Sequence, residues 1–308
     1  MRLLVVTARY PTPDRPAAGA FVRERLRDPE LQARVVAPHR YDGSRGGRFA
    51  RLTWEALAAR GRFDGVEAHF LLPTGPVGLL AALLRGLPLV VYAHGGDVRD
   101  AAQRSAIHRW LATRVVRSAA AVVVNSTETA AQVERLGGRP EVIPPGIDLA
   151  RFHPSPRPSA HTVLYLGGEA QHKGVEVARR LADTLVGPGI HEVDPDQVPS
   201  LVAEHDVVLV PSLEEPFGLV AAEAAASGRW VVASDVGGLR DIVVNGVSGT
   251  LVADGDFASA LASVPDYDPS VVAEQAARFG LDRFWTGMEA VWRRVLDSRT
   301  GSGVARLS

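Results

Sequence analysis

Two glutamates, Glu215 and Glu223, stand eight residues apart in a segment whose pattern predicts a strand, a turn and a helix. The apolar run at 206–210 is typical of a strand buried on both faces. Pro216 suits the first turn of a helix, and Gly228 suits its end. Along a helix, this spacing separates the two carboxylates by about 10 Å, so they cannot share one proton. We expect them to contact different parts of one elongated ligand.

Phe217, Gly218 and Leu219 lie at the expected start of that helix. At the carboxyl end of a parallel strand, a helix start directs free N–H groups and its positive dipole end toward the crevice where such sheets bind anions. A diphosphate would suit this place. Glu223 is surrounded in sequence by small apolar residues, so it needs hydroxyls or cations if it is buried, and ribose hydroxyls would meet that need. Exposure to solvent on an Ala-rich helix is the alternative.

His94 and Lys173 are two further candidates. His94 follows the apolar run 89–92 and precedes two glycines, which leave space for a ligand at the carboxyl edge of a sheet, although a single histidine is more often structural. Lys173 is the only lysine among 34 basic side chains. A compact ammonium can reach a crowded phosphate where a guanidinium cannot, but one lysine can also persist by chance.

The segment Pro-Ser-x-x-Glu-Pro-Phe-Gly-Leu, followed by Glu-Ala-x-Ala-x-Gly, resembles the signature of the nucleotide-sugar glycosyltransferases of family four, which have the GT-B fold. The resemblance implies that Glu215 contacts the donor sugar and Glu223 holds the ribose. It also implies that the amides of Phe217, Gly218 and Leu219 reach the phosphates.

Other segments extend the resemblance over about the whole length. His-Gly-x-Asp at His94 is similar to the family motif whose histidine faces the donor sugar. Gly19, in a Pro-rich loop, is a reduced version of the glycine pair that closes over donor and acceptor. Gly167 and Lys173 match the end of a strand and a Lys-Gly pair. Gly168 departs from the family, since an arginine that helps to neutralise the leaving diphosphate is expected there.

Gly168 is one of two departures from the family pattern, and the length of the donor domain is the other. Either His172, Arg9 or Arg240 supplies the missing cation, or the enzyme is impaired. Between Lys173 and Pro211 the pattern predicts only a helix at 175–185, an irregular piece and a short helix near 199–204, where the family has an additional strand and helix. We therefore expect an abbreviated donor domain, and the sequence does not identify the nucleotide base.

The repeated order of strand and helix predicts an α/β chain with doubly wound parallel sheets. With the resemblance, the expected architecture is two Rossmann-like domains facing a cleft. We place an acceptor-side domain at 1–158 and a donor-binding domain at 159–281. A helix at 282–297 is expected to cross back to the first domain, and 298–308 to form a flexible tail. Acceptor specificity is assigned to first-domain loops such as 38–47 and to the Arg-rich helix around Trp110.

Composition narrows the class of protein. The absence of cysteine excludes disulfides and thiolate metal sites and favours a cytoplasmic enzyme. The longest apolar stretch is too short to span a bilayer. Residues 1–150 hold 21 arginines and 14 acids, a net +7, whereas 151–308 hold 13 basic residues and 21 acids, a net −8. The basic half could attract an anionic acceptor or a membrane surface, or the asymmetry is incidental. No nucleic-acid-binding pattern is present.

These patterns lead to one hypothesis of function, in which a sugar moves from a nucleotide-diphosphate donor to a hydroxyl acceptor with retention of configuration. His94, Lys173 and Glu215 are the expected catalytic residues, and no metal or other cofactor is expected, because three Asp-x-Asp sequences are better explained as surface turns. An epimerase or phosphorylase of the same architecture is one alternative. A non-catalytic donor-binding or scaffold protein is the other.

Overall fold

The computed structural model describes residues 1–13, 15, 18–38 and 44–304. They form two compact units, Met1–Gly146 with Phe284–Ser308, and Ile147–Arg283. Each unit is built on one parallel sheet with helices between successive strands. The predicted class, two doubly wound α/β domains, is confirmed.

The first unit has a six-stranded sheet in the order β2-β1-β3-β4-β5-β6. Its strands are β1 Arg2–Thr7, β2 Gln32–Val36, β3 Gly65–His69, β4 Leu89–Ala93, β5 Ala121–Val124 and β6 Pro140–Val142. Its helices are α1 Ala20–Leu26, α2 Arg45–Ala58, α3 Thr74–Arg85, α4 Gly96–Arg104, α5 Ala106–Ser118 and α6 Thr127–Arg135.

Alternate residues of β1 enter two different cores, because successive side chains of a strand point to opposite faces of the sheet. Leu4 and Val6 pack with the inner faces of α2, α3, α4, α5 and α6. Leu3 and Val5 pack on the other face, with apolar residues of the last helix of the chain. Burial on both faces explains why the interior of β1 and the whole of β4 are continuous apolar runs in the sequence.

The second unit has a five-stranded sheet in the order β11-β10-β9-β7-β8. Its strands are β7 Val163–Tyr165, β8 Thr184–Leu185, β9 Val207–Val210, β10 Trp230–Ser234 and β11 Gly249–Val252. Its helices are α7 Val175–Leu181, α8 Val198–Ala203, α9 Leu219–Ala226, α10 Leu239–Ile242, α11 Phe257–Ala262 and α12 Pro269–Ala276. Short 3-10 turns occur at Gln171–Lys173, Pro195–Gln197 and Ala277–Phe279.

The helix expected at 175–185 is shorter in the structure. Helix α7 ends at Leu181, and Thr184 and Leu185 form the edge strand β8, which pairs with β7. The pattern could not separate the two, because a short apolar run fits a buried helix and a buried strand equally well. The second unit therefore has a strand between α7 and α8 that the sequence did not indicate.

The chain divides after Gly146, whereas the prediction set the domain boundary at 158. Residues between these positions pack on the second unit, where Phe152 joins the core and Arg157 Nε donates to Asp206 Oδ1 at 2.7 Å. The last helix, α13, spans Leu281–Val304, so the tail expected from 298 is helical through 304. Its buried Trp292 belongs to the core of the first unit.

Among the described residues, no helix combines the length and the apolar character needed to cross a bilayer.

Candidate functional site

In the second unit, a turn joins the buried strand β9 to helix α9. Gly218 precedes the helix with φ of 107°, a conformation that favours glycine, and a Cβ there would lie 2.8 Å from Leu239 Cδ2. The helix therefore begins at Leu219, after Pro216 and not with it. Phe217 is buried in the turn and meets Phe279 edge to face, with 5.6 Å between ring centroids.

The structure brings Lys173 and Glu215 together. Lys173 Nζ lies 2.6 Å from Glu215 Oε2, and Ser212 Oγ donates to the same oxygen at 3.2 Å. The carboxylate side chain is 10% exposed and the lysine 30%. Both charges thus lie beside the turn that precedes α9, and each remains within reach of a ligand there.

The backbone explains how Lys173 comes to this place. Lys173 ends a 3-10 turn that Gly174 closes with φ of 74°, and a Cβ on Gly174 would collide with the carbonyl of Pro211. The amide of Leu213 also donates to the carbonyl of His172 at 2.9 Å. Close backbone packing against the end of β9 therefore sets the position of the lysine.

Glu223 lies on α9 with small apolar neighbours, and its side chain is only partly exposed. Burial raises the pKa of Glu223 to about 7, and Arg151 opposes this rise. The carboxyl group of Glu223 therefore gains or loses its proton near neutral pH. A ligand that donates hydrogen bonds from hydroxyl groups would favour its ionised form.

Gly167 and Gly168 follow β7, and Gly168 stands where the family resemblance expects arginine. Its φ is 65°, and a Cβ would lie 2.6 Å from the carbonyl oxygen of Pro188. The backbone at this position leaves no room for a side chain without movement. Among the residues named above as replacements for the arginine, Arg240 Nε donates to Asp235 Oδ1 at 2.6 Å, and His172 shares the 3-10 turn with Lys173.

In the first unit, His94 follows β4 and its ring lies among aromatic rings. The ring centroids of Phe21, Tyr92 and Phe70 are 4.3, 4.6 and 4.7 Å away. Burial lowers the pKa of His94 well below its usual value, and the nearby Arg9 lowers it further. The imidazole is therefore neutral at physiological pH.

The backbone around His94 is held by two polar side chains. Asp97 accepts from the amides of His94 and Leu71, the first at 2.9 Å, and burial raises the pKa of Asp97 to about 6 against these hydrogen bonds. Asn125 donates from Nδ2 to the carbonyl of His94 at 3.0 Å. Both contacts fix the segment that carries the imidazole.

Two buried polar residues of this region, Glu67 and His69, are not among the candidates that the sequence indicated. Both side chains are fully buried on β3, and His69 Nδ1 lies 3.2 Å from His94 Nε2. The available signal was the presence of Glu and His in a strand that is otherwise apolar and buried, since such groups are buried only with partners.

Gly19 precedes α1 with φ of 69°, and a Cβ there would collide with the carbonyl of Arg9. Its loop is described except at positions 14, 16 and 17, and the predicted acceptor loop 38–47 is described except at 39–43. Trp110 lies on α5 and is 60% exposed.

The three Asp-x-Asp sequences lie next to helix or turn starts. Asp194, Asp256 and Asp268 each accept a hydrogen bond from a backbone amide at the start of the following helix or 3-10 turn. Within the described part of the chain, no three His, Asp or Glu side chains are grouped so that they could hold a metal ion.

Both units match families of known proteins. Residues 2–151 match the family described as Glycosyltransferase Family 4, and residues 149–264 match Glycosyl transferases group 1. D-inositol 3-phosphate glycosyltransferase 2 of Catenulispora acidiphila is 31% identical, with 80% of this chain and 74% of the relative covered. The D-inositol 3-phosphate glycosyltransferase of Saccharomonospora viridis is 33% identical, with 80% and 71% covered.

Solved structures share the fold. Sucrose-phosphate synthase from Thermosynechococcus elongatus superposes with a TM-score of 0.74 at 21% identity, over 96% of this chain and 99% of the other. Anabaena HepE in complex with UDP gives 0.70 at 18% identity, over 96% and 100%. From these matches and the sequence relatives, the chain belongs to glycosyltransferase family 4, has the GT-B fold and is a glycosyltransferase.

Proposed function

We propose that the chain transfers a sugar from a nucleotide-diphosphate donor to a hydroxyl acceptor, with retention of configuration and without a metal or other cofactor. The observation that carries this proposal is the placement of Lys173 Nζ 2.6 Å from Glu215 Oε2, beside the turn that opens α9. A cation and free helix amides favour a diphosphate, while a neighbouring carboxylate suits the hydroxyls of a sugar.

The residues would act as follows. The amides of Phe217, Gly218 and Leu219 bind the diphosphate, and Lys173 stabilises the charge that develops on it as the sugar leaves. Glu215 releases Lys173 and accepts a hydrogen bond from a hydroxyl of the donor sugar. His94 accepts a hydrogen bond from a sugar hydroxyl. The acceptor attacks from the face on which the leaving group departs, so no enzyme nucleophile is required. Gly167 and Gly19 provide close backbone approach to the ligand.

Glu223 is proposed to bind the two ribose hydroxyls. Its raised pKa supports this role, because a half-buried carboxyl group among alanines is stabilised when hydroxyl groups donate to it. Structural neighbours include proteins bound to UDP and to ADP, so the binding experiment described next includes both nucleotides. The names of the relatives make D-inositol 3-phosphate the first acceptor to test.

Calorimetry with UDP, ADP and GDP, followed by assays with the matching sugar donors, tests the proposal. We expect one nucleotide to bind and its sugar donor to release that nucleotide only when an acceptor is present, equally well in EDTA. Product NMR should show the anomeric configuration of the donor. Binding without turnover for any acceptor supports the scaffold alternative, phosphate-dependent release supports a phosphorylase, and conversion of the donor sugar without an acceptor supports an epimerase.

A contact between the first unit and a membrane is also part of the proposal. Helices α2, α3 and α5 cover one face of the sheet, and their outer faces carry exposed apolar residues. These residues are Phe49, Trp54, Leu80, Leu83, Leu84, Ile107 and Trp110. Exposed arginines share helix faces with the tryptophans, Arg51 three residues before Trp54 and Arg114 four residues after Trp110.

Apolar and basic side chains together fit an anionic bilayer, whereas a second copy of this basic face would be repelled. Sedimentation with vesicles containing about one third anionic lipid should recover the protein, and neutral vesicles should not. Replacing Trp54 and Trp110 by serine should lower the recovered fraction several-fold, while replacing the exposed Val271 of the second unit by serine should not. No recovery with anionic vesicles would contradict the membrane contact, and equal recovery with both kinds of vesicle would contradict the role of the basic side chains.

A further inference from the structure

A chain of polar side chains runs through the core of the first unit to His94. Arg25 Nη2 lies 3.3 Å from Glu67 Oε2, and Glu67 Oε1 lies 3.1 Å from His69 Nε2. His69 Nδ1 then lies 3.2 Å from His94 Nε2. Arg25, Glu67 and His69 are fully buried, so these contacts exclude water.

Glu67, the second residue of this series of contacts, is ionised. Burial alone would raise the pKa of Glu67, but Arg25 and the hydrogen bonds from His69 and Trp292 lower it to about 2. Trp292 Nε1 donates to Oε2 at 2.7 Å, and Arg25 is shared with Asp28 at 2.9 Å. An ionised carboxylate only accepts hydrogen bonds, so His69 must carry a proton on Nε2.

The second nitrogen of His69 faces a nitrogen of His94, and two nitrogens at this distance share one proton. If His69 supplied it, His69 would carry protons on both nitrogens and would be a fully buried cation, although the carboxylate that it contacts, Glu67, is already paired with Arg25. If His94 supplies it, both imidazoles stay neutral and no further buried charge is created. The second arrangement is therefore favoured.

We propose that Glu67 and His69 hold His94 in the tautomer that carries its proton on Nε2, which leaves Nδ1 as a hydrogen-bond acceptor for a sugar hydroxyl. Glu67 and His69 are positioning residues in this account, because they act through His94. The part that concerns the sugar rests on the proposed function. The tautomer itself does not, and it can be measured without any substrate.

The ring 15N shifts of the ligand-free enzyme distinguish protonated from bare nitrogens. In uniformly 15N-labelled protein, the His94 signals are those that disappear in the His94→Asn variant. At neutral pH we expect a protonated Nε2 and a bare Nδ1. A proton on Nδ1 of His94, or two protons on His69, would overturn the proposal, whatever the enzyme transfers.

Variants of His69 test the link to activity. His69→Phe removes the acceptor for His94, so the two His94 tautomers should mix and kcat/KM should fall about tenfold, as expected for one hydrogen bond. His69→Asn can place an amide oxygen near the position of Nδ1 and should restore the tautomer and part of the activity. It also keeps the test open if His69→Phe does not fold.

Tyr92→Phe is the matched control. It removes a hydroxyl that donates to the carbonyl of Ile143 at 2.7 Å, in the same buried cluster, and leaves the contact between His69 and His94 unchanged. We expect wild-type His94 shifts from this variant. If the shifts respond as expected to all variants but no sugar is transferred, the tautomer assignment stands and the proposed function fails. If activity falls in His69→Phe while the His94 shifts do not move, His69 does not act through the tautomer.

Discussion

Replacing Lys173 by glutamine is expected to lower kcat by about 10²–10³-fold, the loss typical of removing one preorganised group that stabilises charge in a transition state. In the ligand-free enzyme this ammonium binds Glu215 at 2.6 Å, so it is already desolvated on one side and held beside the turn that opens α9. The charge that it meets grows as the sugar leaves the diphosphate. Steady-state kinetics should therefore show a fall in kcat that exceeds any rise in KM for the donor.

A matched control separates this role from a loss of charge on the domain. Arg180→Gln removes one positive charge from an exposed position on the neighbouring α7 and should leave kcat within about twofold of the wild type. Thermal unfolding of both variants checks the fold, since Lys173→Gln leaves Glu215 with the hydroxyl of Ser212 as a partner. A Lys173→Gln enzyme that keeps wild-type kcat would contradict the proposed role.

Chemical labelling gives a second readout, because Lys173 is the only lysine of the chain. An amine-selective reagent can modify only this side chain and the N-terminus. The nucleotide that binds in calorimetry should slow modification of Lys173 and leave the N-terminal rate unchanged. Equal rates with and without that nucleotide would place the diphosphate away from the lysine.

The segment around α9 shows how far sequence could predict the candidate site. The buried strand, the turn and the helix follow from an apolar run, a proline and two glycines, and all three elements are present. The helix start was placed too early, because Pro216 suits a first turn while Gly218 adopts a left-handed conformation that a helix cannot contain. Local propensity thus found the elements, and a single backbone angle decided the boundary.

Local sequence patterns cannot predict contacts between residues that are far apart in the sequence. Lys173 and Glu215 are 42 residues apart, and the packing of Gly174 against the carbonyl of Pro211 brings them together. Neither spacing nor composition encodes that approach. The contacts of the buried Glu67 could not be predicted for the same reason, because its partners Arg25 and Trp292 come from helices at opposite ends of the chain.

Glu223→Gln is expected to have two opposite effects, one on stability and one on binding. Burial raises the pKa of Glu223 from 4.5 to about 7, so the folded chain holds this proton more tightly than the unfolded chain. The unfolding free energy of the wild type therefore falls as pH rises from 4.5 to 7. Glutamine does not ionise, so the variant should be more stable above pH 7 and should lose this advantage near pH 4.

A rise of the Glu223 pKa from 4.5 to about 7 corresponds to about 3 kcal/mol, and partial exposure of the side chain reduces the expected gain to roughly 2 kcal/mol. Urea unfolding of both proteins across this pH range measures it. If the difference in unfolding free energy between the two proteins does not change with pH, Glu223 is solvated, and the argument for a ligand that supplies hydroxyls is lost.

Binding should move the other way, because an ionised carboxylate accepts from both ribose hydroxyls and an amide oxygen does so more weakly. Nucleotide affinity should fall by about 10- to 100-fold in Glu223→Gln, and wild-type affinity should rise as pH increases through 7. The 2′,3′-dideoxy form of the same nucleotide is the control, because its phosphates titrate identically while it has no hydroxyls for Glu223. A loss of equal size for both nucleotides would show that Glu223 acts on the fold of α9 and not on the ribose, whereas a loss confined to the natural nucleotide ties the stability cost of this carboxylate to its function.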